Sequence, residues 1–400
     1  MVNRLDQRDT ARLVSARFAP ARPAPTPPVL FVLNALSIGG SERKTVRLAN
    51  ALADQGSDVT ITYLNTPEPL LSEVSPAVRV IYLQRRGKFS LRSLRLLAKA
   101  IRERDTPVVV TVNLYPALYA ALARAWLGRK RFRLIMSVNT TDVTRGLRAA
   151  MALYRRVLRR ADVVLFGAEA QRRIWRERYG IGRNGGPSTA VLYNGVDTSR
   201  FSLEPPQTSP HVDLPDARYI IGTVGRLSPE KSHVDLVRAI AALRVRGVDA
   251  GALIVGEGQE RDPIVAEIEK LRMQDYVKLA GAAHDVRPYL ACMDVFALTS
   301  STETFSNATL EAMASGLPVV CSRVGGMEEL ISHGGGVSYA AGDVTQLTGV
   351  LLGILADDVK RTQLAHNART AAVEHFGWDR MVARFIALAA APSSRPPPQR

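Results

Sequence analysis

From residue 29 onward, short apolar runs alternate with stretches in which apolar positions recur every three or four residues. The runs at 29–36, 58–64, 78–83, 107–112, 133–138 and 161–167 are rich in Val, Ile and Leu and are apolar nearly throughout. Continuous rather than alternating apolarity predicts strands buried on both faces, as in a parallel sheet covered by helices. Between them, segments such as 90–104 (SLRSLRLLAKAIRER) and 118–128 (LYAALARAWLG) carry helical periodicity. Residues 182–215 turn loop-like, with GRNGGPST and SLEPPQTSPHVDLPD. A second series of apolar runs then starts afresh at 219–225, 250–258, 276–282, 294–300, 317–322 and 335–339.

Two α/β halves facing each other across a cleft are the expected architecture. The boundaries read as a Pro/Arg-rich disordered tail at 1–28, a first Rossmann-like domain at 29–205 and a second at 206–378. A C-terminal helix at 379–391 is expected to return to the first domain, followed by a Pro-rich tail at 392–400.

Composition removes several classes. With 46% apolar residues the chain can build globular cores. Two cysteines, Cys292 and Cys321, are too few for a disulfide framework. No apolar run reaches the ~18 residues of a spanning helix, and the first 28 residues lack a signal-peptide core, so a cytoplasmic location is expected. The net charge of +16 is uneven: residues 1–200 hold 34 Lys and Arg against 14 Asp and Glu, whereas 201–400 hold 19 against 23. A basic first half suits an anionic substrate, a membrane leaflet or nucleic acid. Nucleic acid is disfavoured, because that half has no zinc signature, homeodomain-like segment or aromatic RNA-binding pattern.

Candidate chemistry gathers after the predicted strands. In STETFSNATLEAMASGLPVV (301–320), Glu303 lies in a loop and Glu311 about one turn into the helix that follows. A strand running into a helix presents amide N–H groups to an anion. GTVGRLSPEKSH (222–233) places Arg226 and Lys231 at the carboxyl edge of its sheet, where phosphates bind in open α/β folds. SIGGSER (37–43) supplies Gly39 and Gly40 between strand and helix but does not end in the Gly-Lys-Ser/Thr of a P-loop. VGEGQER (255–261) has two glycines of a dinucleotide fingerprint and no third at the required spacing. Taken singly, each motif also fits a solvated loop or a capped surface helix.

Together, GGSERKTVRLANAL, YNGVDTSRF, GRLSPEKSH, TSSTETFSNATLEAMASGLPVV and VGGMEELI resemble, in order and spacing, the retaining family 4 glycosyltransferases of GT-B fold, over residues 29 to 388. The resemblance implies that Glu303 holds hydroxyls of a donor sugar and Glu311 the ribose of its nucleotide. It implies that Arg226 and Lys231 neutralise the leaving diphosphate, with amides near Ala308, Thr309 and Leu310 beside it. Gly39 and Gly40 would cover the phosphates, and the loop 281–286, with His284, would lie against the nucleobase.

In one place the sequence departs from the family: many members carry a histidine in the acceptor domain, and this chain has none before residue 211. The matching loop, SVNTTDV, offers Asn139 and Asp142, of which only Asp142 can act as a base. Both also suit N-capping of the following helix. The expected partners are a nucleotide-diphosphate sugar, UDP-linked or GDP-mannose, and a glycan or lipid-linked acceptor in polysaccharide or glycolipid synthesis. No cofactor or metal is expected, since no Asp-x-Asp occurs. A GT-B 2-epimerase and a non-catalytic nucleotide-sugar-binding protein are the competing readings. Finally, Leu94, Leu97, Ala98 and Ile101 form one face of a basic helix which, with GRKRFR and YRRVLRR, predicts peripheral binding to an anionic membrane surface at the inner face of the plasma membrane.

Overall fold

A computed structural model describes residues 27–391 except 105, 129–131, 140–147, 184, 205 and 207–211. Residues 1–26 and 392–400 of the two tails, and Asp142, therefore lie outside the described residues.

The apolar runs become strands, and in the central ones alternate residues enter two different cores. In the strand Val29–Leu33, Leu30 and Val32 join one cluster, while Val29, Phe31 and Leu33 join another on the opposite face. The strands are β1 (Val29–Leu33), β2 (Val59–Tyr63), β3 (Arg79–Tyr82), β4 (Val108–Val112), β5 (Arg133–Val138), β6 (Val163–Phe166) and β7 (Ser188–Val191) in the first half. The second half has β8 (Tyr219–Val224), β9 (Ala250–Val255), β10 (Val277–Gly281), β11 (Val295–Leu298), β12 (Val319–Ser322) and β13 (Gly336–Tyr339). They form a seven-stranded sheet in the order β3-β2-β1-β4-β5-β6-β7 and a six-stranded sheet in the order β10-β9-β8-β11-β12-β13. All the pairings are parallel. The strand order reverses beside β1 in one sheet and β8 in the other, so loops at their carboxyl ends open into a crevice.

The segment read as loop from 182 to 215 contains β7, which pairs with β6 from Ser188 to Val191. After the second sheet the chain crosses back. Val196 N donates to Phe376 O and Trp378 N to Val196 O, both at 2.8 Å, so the outgoing and returning segments lie side by side. The helix Trp378–Ala390 then buries Met381, Val382, Phe385 and Ala389 in the core of the first sheet, with the Phe385 ring 5.9 Å from that of Phe31.

One expectation is corrected. Leu94, Leu97, Ala98 and Ile101 of the helix Leu91–Glu103 are all buried in the core beneath the first sheet. A β/α unit must cover its sheet, so this apolar face is not available to lipid. Among the described residues, no helix is long and apolar enough to cross a membrane.

Candidate active site

Site geometry begins with the loop after β8. Gly225 N donates to Val255 O and Leu227 N to Glu257 O, both at 2.9 Å, lashing this loop to the one after β9. Gly256 and Gly258 permit that approach, because a Cβ would lie 1.8 Å from Gly225 O at one and 2.2 Å from Leu227 O at the other. The two glycines weighed as a nucleotide fingerprint thus serve as backbone spacers beneath Arg226. Burial lowers the pKa of His233 to about 4, so the ring is neutral. Its Nε2 lies 3.2 Å from Arg226 O, and a carbonyl only accepts, so Nε2 carries the proton and pins the loop. The Arg226 side chain itself is exposed.

Lys231 and Glu303 meet directly, with Nζ 2.6 Å from Oε2. The loops carrying them are fastened by Thr299 Oγ1 donating to Lys231 O (2.9 Å) and Ser301 N donating to Glu230 O (2.8 Å). Behind Glu303 runs Gly325, in left-handed conformation at φ +51°, where a Cβ would lie 1.7 Å from Glu303 O.

The helix Asn307–Ala314 starts at Ser306, whose Oγ accepts from Thr309 N at 3.2 Å while its carbonyl accepts from Leu310 N at 3.2 Å. This corrects the expectation for Thr309 and Leu310. Their amides are consumed by the cap and their side chains are fully buried. Asn307 and Ala308 are the helix-start residues that line the cleft. Glu311, one turn on, is pushed up to about 7 by burial, against the pull of Arg47, Arg200 and Arg43, with Asp285 adding to the rise.

Opposite stands the first half. The crevice divides into two connected chambers of about 400 and 410 Å³. The inner one is walled by Lys231, Glu303 and Thr304 on one side and Ser137, Asn139 and Gly167 on the other. The outer one holds Glu311, Arg43, Arg47, Gly39 and the 281–286 loop residues Ala282, Ala283 and Val286. His284 of that loop is exposed and is not part of either wall. Gly40 lines both chambers, 3.5 Å from the Asn307 side-chain amide measured from where a Cβ would stand.

Three residues that sequence reasoning passed over tie the halves together. Lys44 Nζ donates to Asn194 Oδ1 at 2.8 Å, and Asn194 Nδ2 donates to Phe305 O at 2.9 Å, two residues beyond Glu303. Glu329 of the second half accepts from Glu169 N (2.7 Å), Ala170 N (2.5 Å) and the Tyr193 hydroxyl (2.9 Å). It thereby satisfies amides at the start of the helix Glu169–Tyr179 in the first half, where a carboxylate is favoured. Among the described residues, no group of three His, Cys, Asp or Glu side chains is placed to hold a metal ion.

Arg226 with the Asn307–Ala308 helix start and Gly40 forms a cationic, amide-rich waist between a chamber with one carboxylate, Glu303, and a chamber lined by Glu311, Asp197 and Glu257. Such a waist suits two linked phosphates, and the flanking carboxylates suit hydroxyl-bearing groups on either side.

Known proteins share the two-domain architecture. The model for "Glycosyltransferase Family 4" matches residues 38–200 and that for "Glycosyl transferases group 1" matches residues 207–371. The chain is 26% identical to the N-acetyl-alpha-D-glucosaminyl L-malate synthase of Bacillus anthracis, covering 87% of this chain and 93% of that protein. It is 30% identical to the GDP-mannose-dependent alpha-(1-6)-phosphatidylinositol monomannoside mannosyltransferase of Mycolicibacterium smegmatis, covering 68% of this chain and 73% of that one. Among solved structures, Anabaena HepE in complex with UDP superposes with a TM-score of 0.75 at 22% identity, over 90% of this chain and 99% of HepE. With both halves matched and two parallel-sheet domains facing across a cleft, the chain belongs to the family 4 glycosyltransferases of GT-B fold.

Proposed function

We propose that this glycosyltransferase moves a sugar from a nucleotide-diphosphate donor to a glycan or lipid-linked acceptor with retention of anomeric configuration and without a metal ion. The observation that carries the reading is the waist of Arg226 and helix-start amides joining the Glu303 and Glu311 chambers. Cleavage of a sugar–phosphate bond leaves charge on the diphosphate, and fixed cations and amides there stabilise the transition state more than the ground state. Lys231 is held by Glu303 in this structure. With donor in place, Lys231 turns to phosphate and Glu303 accepts from sugar hydroxyls, which orients the anomeric carbon. Asn139 donates or accepts hydrogen bonds but takes no proton, which leaves Asp142 of the same loop or a donor phosphate oxygen as base for the acceptor hydroxyl.

Relatives support the donor class: the mycobacterial protein is named GDP-mannose-dependent, and HepE was crystallised with UDP. A lipopolysaccharide core biosynthesis glycosyltransferase of Rhizobium meliloti, 27% identical, supports a polysaccharide or glycolipid acceptor. NMR of products made from UDP-[13C]glucose and GDP-[13C]mannose tests the reading. An α-linked product from an α-donor is expected. An inverted product excludes retention, and an altered sugar formed without acceptor marks an epimerase.

Activity is expected to persist in excess EDTA, because positive charge at the leaving group comes from side chains and amides. Turnover lost to chelation and restored by manganese would refute metal independence.

Glu311 gives a pH dependence with a defined sign. A ribose diol donates hydrogen bonds, so it favours the ionised carboxylate over the protonated form present below pH 7. UDP or GDP affinity is therefore expected to rise as pH increases through about 7, and Glu311→Gln to flatten that limb. A wild-type affinity constant from pH 6 to 7.5 would count against Glu311 as the ribose ligand.

We also propose membrane attachment, through a different surface of the first domain. The rim of the first domain exposes Phe89, Leu91 and Tyr115 beside Arg86, Lys88 and Arg92, with the Arg85 guanidinium 4.3 Å from the Tyr115 ring centre. Aromatic side chains among cations suit the interface of an anionic leaflet, here the inner face of the plasma membrane. Sedimentation with anionic but not neutral liposomes, weakened by salt, is expected. Equal, negligible sedimentation with both would favour a soluble acceptor.

A further inference from the structure

We propose that Lys44, reaching in from the first domain, is a third cation on the donor's diphosphate. The inference rests on the donor-site reading above and adds a residue to it. A nucleoside in the Glu311 chamber and a sugar beside Glu303 are joined by two phosphates, which must pass through the space the chambers share. The charged side chains lining both chambers are Lys44 and Arg226, one from each domain. Lys44 is half-buried, and its two hydrogen-bond partners are neutral oxygens, Asn194 Oδ1 at 2.8 Å and Leu192 O at 3.3 Å. An ammonium has three donors, so one proton is left for an anion in the waist.

Burial with neutral partners disfavours the charged form and lowers the Lys44 pKa to about 8. A diphosphate beside it restores the charge, so binding favours protonated Lys44 and weakens as pH rises through about 8. Phosphate itself is fully ionised over that range, its second pKa being ~6. Asn194 and the Leu192 carbonyl do not ionise, and Glu311 of the same chamber, raised to about 7, is mostly ionised above pH 7.5 and acts in the opposite direction. The competing role is purely structural, with Lys44 holding Asn194 and, through it, Phe305.

Calorimetry with UDP and GDP, and ligand-observed NMR with uridine and guanosine, separates the two roles. Lys44→Met is expected to weaken diphosphate binding by about tenfold or more, the scale of one lost charge-assisted hydrogen bond, while nucleoside binding stays within about twofold. In the wild type, diphosphate affinity should fall between pH 7.5 and about 8.5, below the ionisation of the uracil and guanine rings. Lys44→Arg should keep the affinity and lose that fall, a readout that stands even if Lys44→Met folds poorly. Equal losses for nucleoside and diphosphate, or a wild-type affinity flat across that pH range, would overturn the proposal. Wild-type protein that binds neither diphosphate would instead overturn the donor-site reading, and this inference with it.

Discussion

Alanine in place of Arg226, Lys231 or Glu303 is expected to lower turnover by at least ~100-fold in each case, the scale of removing one charge-stabilising group from a preorganised site. The three act at different points of one bond cleavage. Arg226, whose exposed side chain lies at the waist, is positioned to meet the phosphates first. Lys231 and Glu303 neutralise each other at 2.6 Å, which keeps both side chains at the reacting end of the cleft. Losing either one disorders the other as well as removing its own contact. Because the pair stands on the cleft wall, at 22% and 18% side-chain exposure, water can solvate the survivor and the melting temperature should change little. Wild-type rates in all three single variants would remove the site assignment.

Gly325→Ala is expected to be nearly as damaging although the residue touches no substrate. At φ +51° a side chain is strained, and its Cβ would overlap Glu303 O at 1.7 Å and crowd Thr304 O at 3.2 Å. The Glu303 loop cannot simply retreat, since Thr304 O also accepts from Gly326 N at 2.9 Å. Displacing Glu303 by about an ångström costs orientation, on the order of 100-fold in turnover, and the strain costs roughly 1–3 kcal/mol of stability. Nucleotide binding through Glu311 should stay within about threefold. Steady-state kinetics beside calorimetric binding reads both quantities, and turnover within twofold of wild type would show that the loop tolerates the shift.

How far the sequence revealed this arrangement depended on the range of each interaction. Strands such as β1 and β9 were legible because burial on both faces demands unbroken apolar runs. β7 was missed because Ser188–Val191 is an edge strand, only partly buried, with serine and threonine in place of branched apolar residues and a Gly-Pro pair just before it. The loop after β8 and the Glu303–Glu311 element were legible because each sits on a short contiguous segment after a strand. Lys44, Asn194 and Glu329 were not, since Lys44 and Asn194 are 150 residues apart and Glu329 is 160 from the helix start it caps. The helix Leu91–Glu103 misled in the opposite direction. Its amphipathic pattern is equally that of a membrane-surface helix and of a helix covering a sheet, and only tertiary packing decides between them.

In the proposed donor complex the waist between the two chambers holds the diphosphate, with sugar toward Glu303 and ribose toward Glu311. A crystal structure with a non-transferable 2-fluoro nucleotide sugar tests it most directly. Phosphates are expected between Arg226, the Asn307 and Ala308 amides and Gly40, with the Lys231–Glu303 separation opened beyond 2.6 Å as each side chain turns to the ligand. A nucleotide sugar bound elsewhere, or bound here with that ion pair intact, would contradict it.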